Sequence, residues 1–405
     1  MRTTLWAHNK QKESNKIILK YTVSNDHILD MQLLPYDIQW SIAHTKMLSK
    51  IGILTSDEMD QIIDALDGNT DMSLMSLYKK GLFHITQEQE DGHTAIEIFL
   101  TDRLWDVGKK IHTGRSRNDQ ILVTMRLFTL DKIDTIKNSI KTLIDSFNKQ
   151  KEKYNTQIMP GYTHTQKAMP STIGMRLGSF SDALNDDLIL LDTAYCINNQ
   201  NPLWSAAWFW QHTIPVDRTY TTELLEFNKM QKNPMYCALS RGKFENIVLQ
   251  ALGHSMQDLW KFANDMIWFS SKEFGFFDLP DAYKTWSSIM PNKHNLDLLE
   301  LVRGNTSIFT GYQYQIQEVI KWLFSGYNRD LQLTKEPYLK AIELCIDTIT
   351  IITLSVDALI VNKETLEKAC SGEIYATKKA YELVKKGIPF RDAYQQVKEY
   401  LDTNI

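Results

Sequence analysis

The sequence of 405 residues predicts an all-α fold. Gly and Pro number only 17 and 10, so long stretches contain no helix breaker. Within those stretches the apolar residues recur at helical spacing, and no run of strand-like alternation competes with them. No internal repeat or low-complexity segment interrupts the pattern.

The elements follow in order. Thr55-Ser56-Asp57-Glu58 reads as a capping box, and Met59, Ile62, Ile63 and Leu66 form one apolar helix face behind it. Residues 120–159 contain neither Gly nor Pro, and Ile133, Ile136, Ile140, Leu143, Ile144 and Phe147 line one face. At roughly 1.5 Å per residue such a helix reaches about 60 Å. That length suits a long bundle rather than an ordinary globular helix. Further helices are predicted over 171–199, 243–272, 296–322 and 337–361. Three domains are expected. An N-terminal helical domain spans 1–110 and a central helical-bundle domain 111–361. A short C-terminal helical domain spans 362–405 and contains the breaker Gly387-Ile388-Pro389.

Lys plus Arg total 45 against 49 Asp plus Glu, with no block of like charge, which argues against a nucleic-acid surface. The most apolar stretch, 341–361, carries Glu343, Asp347 and Asp357, so a buried helix is expected rather than a membrane span. The first twenty residues lack the apolar core of a signal peptide. Cys196, Cys237, Cys345 and Cys370 are far apart and form no metal-ligand spacing, which fits a reducing cytoplasm.

Four polar segments carry candidate chemistry. His112-Thr113-Gly114-Arg115-Ser116-Arg117-Asn118-Asp119-Gln120 precedes the long helix. Two arginines, a hydroxyl and an amide at a helix N-terminus suit a dicarboxylate, and a capped polar loop fits equally well. Gly161-Tyr162-Thr163-His164-Thr165-Gln166 holds one histidine, which on its own reads more simply as structural. Ser287-Ser288-Ile289-Met290-Pro291-Asn292-Lys293-His294-Asn295 is a polar loop before a helix that carries Glu300. Lys293 near a helix start adds positive charge that can stabilise an oxyanion, and a solvated loop fits as well. Tyr327-Asn328-Arg329-Asp330-Leu331-Gln332, with Lys335 beyond, says little alone.

Together, and in order from about Ile42 to Gln396, these segments resemble the argininosuccinate lyase branch of the fumarase/aspartase superfamily. The 112–120 string is the most specific match, and the Ser-Ser-x-Met-Pro-x-Lys-x-Asn loop is shared by the wider superfamily. Residues 90–95, 327–332 and 387–391 also look like this branch. The resemblance implies a three-domain all-α chain that forms a homotetramer, with active sites shared between subunits. It implies β-elimination of argininosuccinate to arginine and fumarate, with no cofactor and no metal. Ser287 sits at the position of the mobile-loop serine that exchanges the Cβ proton, with His164 the alternative base. His164 sits at the acid/base histidine, and Glu300 at its carboxylate partner. Lys293 and Asn295 would stabilise the aci-carboxylate. Ser116, Arg117, Asn118 and Thr163 would bind the succinyl part. Tyr327, Gln332 and Lys335 would hold the remaining substrate groups, with His93 close by. A cytoplasmic enzyme is expected, without nucleic-acid or membrane partners. The rival readings are a sister lyase (adenylosuccinate lyase or aspartase) and a catalytically silent structural homologue.

Several positions depart from the family pattern. Ser240-Arg241-Gly242-Lys243-Phe244 replaces Ser-x-Arg-Asp-Phe, so its charges receive no role. Leu296 follows Asn295 where Pro is common, and the C-terminal unit looks short. Trp204, Trp208, Trp210, Trp286 and Trp322 stand where the family usually has Gly, and Trp40 and Trp105 where it has a small residue or Gly. Trp6, Trp260 and Trp268 do not. This one-sided pattern predicts backbone built for glycine, and it fits a source that reads one codon, UGA, as glycine.

Overall fold

The computed structural model describes residues 16–205, 213–370 and 372–404. Among them are sixteen α-helices and eight short strands, so the expected helical class holds. The capping box forms as predicted. Thr55 N–H donates to Glu58 Oε2 at 3.0 Å, Glu58 N–H donates to Thr55 Oγ1 at 3.2 Å, and the helix Ser56–Asp67 follows. Most of the breaker-free stretch is one helix, Arg117–Lys153, and its last residues, Ile158 and Met159, open a strand. The other long helices are Ile173–Asn198, Lys243–Phe269, Asp297–Ile320 and Lys335–Asp357, each within a few residues of its expected span.

The chain divides into two compact units, each discontinuous in sequence. The first comprises Met1–Thr135, Leu191–Ala251 and Thr310–Glu343. Its core gathers Leu34, Ile38, Met47 and Leu48 of the helix Asp26–Lys50 with Ile62, Leu66, Ile96 and Leu100. The second comprises Ile136–Leu190, Leu252–Phe309 and Leu344–Ile405. There Phe147, Phe180 and Phe262 pack with ring centroids 5.1–5.7 Å apart, a favourable separation for aromatic pairs.

One element was not expected. Ile158–Thr163 and Gln166–Thr172 form an antiparallel hairpin in the second unit, anchored by Tyr162 on Phe269 and Phe274. Its turn residues, His164 and Thr165, have φ of 52° and 60°. Two left-handed residues match the twist of flanking strands, but a β-branched residue there is a true outlier.

The tryptophans divide by backbone. Trp105, Trp204 and Trp322 have φ of 51°, 68° and 66°. Trp40 and Trp286 do not share this conformation. Trp40 is buried, and its indole N–H lies 2.9 Å from both Asp37 Oδ1 and Thr124 Oγ1. Trp286 is exposed, with its ring 3.8 Å from that of His294. Trp208 and Trp210 lie outside the described residues.

Candidate active site

Each unit holds part of the inventory. In the first, His93, Arg117, Asn118, Tyr327, Gln332 and Lys335 line one cleft. Ser116 starts the long helix at its edge: its Oγ accepts from Asn118 N–H at 3.3 Å, and its N–H donates to Asp119 Oδ1 at 2.9 Å. The other Asp119 oxygen accepts from Trp204 N–H at 2.9 Å. The helix start is thereby fixed, and Arg117 and Asn118 project from its first turn, where the helix end favours anions.

The cleft is rich in charge of both signs. Arg117 lies 2.9 Å from Glu90 and 3.4 Å from Asp91, and donates to Thr94 Oγ1 at 2.9 Å. Lys335, buried at the start of its helix, lies 2.5 Å from Asp30 and 3.1 Å from Asp26. Burial opposes the lysine's charge, yet the two carboxylates outweigh it and hold its pKa above the ordinary value. Burial also opposes a charge on His93, and Asp37, Asp91 and Asp30 overcome it, so that pKa lies above 6.5. His93 Nδ1 is 3.3 Å from Asp37 Oδ1. Gln332 Nε2 donates to Thr22 O at 3.0 Å.

The carboxylates were missed by the sequence reading. Asp26, Asp30 and Asp37 repeat at i, i+4 and i+11 along one helix, and the last two are almost fully buried. That spacing puts them on one stripe, a signal that was present. Arg241 and Arg329 also line the cleft.

The second unit holds Thr163, His164, Ser287, Lys293, Asn295 and Glu300. Thr163 and His164 sit at the exposed tip of the hairpin. Ser287, Lys293 and Asn295 belong to a loop closed by the strand pair Thr285–Trp286 and His294–Asn295. Ser287 N–H donates to Lys293 O at 3.2 Å. Ser287 Oγ accepts two backbone N–H bonds, from Ile289 at 3.3 Å and Met290 at 3.0 Å. Donors aimed at an oxygen stabilise its anionic form. Lys293 is exposed, Asn295 half-buried, and Glu300 exposed on the first turn of Asp297–Ile320. His164 and Glu300 make no hydrogen bond or ion pair with one another in the single chain. Among the described residues no cluster of His, Cys, Asp and Glu could hold a metal, and no helix is long and apolar enough to cross a membrane.

Comparison with known proteins fits this inventory. A family profile described as Lyase matches residues 9–311. An argininosuccinate lyase of Thermotoga neapolitana is 43% identical over 380 residues, 94% of each chain. One of Bacteroides fragilis is 39% identical over 397 residues, covering 98% of this chain and 87% of that one. Among solved structures, EDDS lyase in complex with formate matches with a TM-score of 0.79 at 24% identity, covering 95% of this chain and 75% of that one. A fumarate lyase:delta crystallin from Brucella melitensis matches at 0.76 and 19%, covering 96% and 92%. These structures share the fold, and the two sequence relatives match almost end to end. With a profile covering most of its length and relatives at this identity, the chain belongs to the argininosuccinate lyase family.

Proposed function

We propose that the chain cleaves argininosuccinate to arginine and fumarate by β-elimination, as part of arginine biosynthesis. The observation that carries this reading is the pair of backbone N–H donors on Ser287 Oγ. A serine hydroxyl accepts a proton from carbon only as its alkoxide, and those donors favour that form. Ser287 takes the Cβ proton of the succinyl group. The electron pair moves into the adjacent carboxylate, where Lys293 and Asn295 meet the added charge. As the pair returns, the bond from carbon to the guanidino nitrogen breaks and fumarate forms. His164, held by Glu300, protonates the departing nitrogen. Ser116, Arg117, Asn118 and Thr163 hold the succinyl carboxylates. Tyr327, Gln332, Lys335 and His93 hold the remainder. The protein's residues supply each proton and each counter-charge in this sequence.

The working enzyme is a homotetramer with sites completed between copies. The long helices of the second unit leave Met175, Ile189, Trp268, Leu301 and Ile308 at least half exposed in the single chain. Apolar surface of that extent marks an association face. The cytoplasm is the compartment that fits this reading.

Fumarate release from argininosuccinate, followed by ultraviolet absorbance, tests the reaction. No release in neutral buffer by a folded tetramer, whether tryptophan or glycine stands at 105, 204 and 322, refutes it. Mixing His164→Ala with Ser287→Ala, then denaturing and refolding together, tests shared sites. Recovered activity supports them, and none recovered refutes them.

A further inference from the structure

The cleft of the first unit contains a cation that no part of the proposed reaction uses. Arg241 is 7% exposed and lines this cleft. The other cations there are engaged: Arg117 by Glu90 and Asp91, Lys335 by Asp26 and Asp30, and Arg329 by the Thr22 carbonyl. Among the described residues Arg241 makes no ion pair, and its side chain makes no hydrogen bond. Its close electrostatic neighbours are Tyr327, Glu245, Asp26 and Asp30. The backbone is shaped to place it. Gly242 has φ of 76°, and a Cβ there would overlap the Ile320 side chain. The following residue must therefore be glycine.

A nearly buried guanidinium without a partner is costly unless something fills its donors. Its nitrogens are not sealed but open to the cleft, a placement that favours an anion presented there. The acidic pair Asp26 and Asp30 lies close by and suits an ammonium group. A cation and a carboxylate pair side by side match the two ends of an amino-acid zwitterion. We infer that Arg241 is a specificity-determining residue that binds the α-carboxylate of the arginine half of the substrate. This rests on the lyase reading for the identity of the ligand.

Equilibrium binding separates the two claims, because it needs no turnover. The probes are L-arginine and agmatine, which is arginine without its carboxylate, titrated calorimetrically. The unsubstituted protein should prefer arginine by about 10–100-fold, the worth of a hydrogen-bonded charged group. Arg241→Gln should remove that preference and leave agmatine binding within about threefold. Arg241→Lys should restore part of it, which a merely structural arginine would not require. Equal weakening of both probes, or no discrimination by the parent protein, overturns the assignment. Retained arginine preference with no fumarate release refutes the lyase reading alone.

A different observation carries a second proposal. Left-handed φ is uncommon outside glycine, a few per cent of residues. Yet three of the seven described tryptophans adopt it. Trp105 has φ 51° and ψ −120°, a combination that suits glycine. The Trp204 ring occupies the space where a Cβ on Gly114 would lie, and its indole nitrogen is buried with no hydrogen-bond partner. Trp260 and Trp268, inside a regular helix, show nothing of the kind. We propose that the protein made in its source carries glycine at 105, 204 and 322, through a codon decoded there as glycine. Peptide mass spectrometry of the protein from its own source decides this. Glycine at the three positions, with tryptophan at 260 and 268, is expected. Tryptophan at all three overturns it.

Discussion

Replacing Trp105 and Trp322 by glycine should stabilise the chain, whereas the same change at Trp268 should destabilise it. Trp105 and Trp322 are 73% and 90% exposed, so little burial is lost. Each holds a left-handed backbone. For an L-residue that costs about 1–2 kcal/mol. It reaches about 3 kcal/mol in the sparsest regions, to which the ψ of −120° moves Trp105. Glycine removes the strain but gains freedom in the unfolded chain, worth about 0.4–1 kcal/mol in the opposite sense. The net is about 1–2 kcal/mol for Trp105 and about 0.5–1 kcal/mol for Trp322. Trp268 is 60% exposed within the helix Lys243–Phe269. There glycine costs about 1 kcal/mol in helix propensity and relieves nothing. Urea unfolding followed by far-ultraviolet circular dichroism reads all three. The double variant Trp105→Gly/Trp322→Gly should unfold at higher urea than the parent, and Trp268→Gly at lower. If the double variant is destabilised as much as Trp268→Gly, the strain argument is wrong.

Other perturbations follow from the same geometry. Ser287→Ala should lower kcat by about 10²–10⁴-fold with KM little changed, because proton transfer belongs to the transition state; near-full turnover would move the base to His164. Lys335→Met leaves Asp26 and Asp30 without their counter-ion and should cost about 3–5 kcal/mol in urea unfolding, with part of the loss recovered by adding Asp30→Asn. The two buried histidines act in opposite directions with pH. Burial, reinforced by Arg115, holds His44 well below 6.5, so its contribution to stability is full above 6.5 and is lost as pH falls below it. His93 binds its proton more tightly when folded, so its contribution is present below 6.5 and is lost as pH rises through its higher folded value. Urea unfolding on either side of 6.5 should show His44→Gln flattening the acid limb and His93→Gln the alkaline one.

Helices were legible because their signals are local. A cap, an apolar stripe and an absence of breakers sit within one stretch, and the five long helices start and end near the expected residues. The hairpin was not, because its first strand reads Ile-Met-Pro-Gly-Tyr-Thr and its register shifts between Pro160 and Tyr162. Proline and glycine inside a strand erase the alternation that would announce it. The serine loop was legible as a motif, but the two N–H bonds on Ser287 Oγ depend on backbone geometry that no spacing reveals. Lys335 was found by resemblance, while its partner Asp30 lies 305 residues earlier and was passed over. An acidic stripe on an otherwise buried helix indicates cations elsewhere. Only the fold says that Lys335 is one of them.

The pairing of Arg117 with Glu90 sets a competition that substrate must win. Glu90 has φ of 69°, so the backbone that aims its carboxylate at Arg117 is itself strained. A succinyl carboxylate arriving at Arg117 displaces a partner already present, and part of its binding is spent on that exchange. Glu90→Gln keeps the shape and removes the competing charge. The pair is partly exposed, with Arg117 and Glu90 at 30% and 21%, so the exchange is worth about 0.2–1 kcal/mol after screening. Fumarate should therefore inhibit the Glu90→Gln protein more tightly, by about 1.5–5-fold. The effect should shrink with added salt, since screening weakens partly exposed pairs. Weaker fumarate inhibition would mean that Glu90 holds Arg117 in its working orientation rather than competing for it.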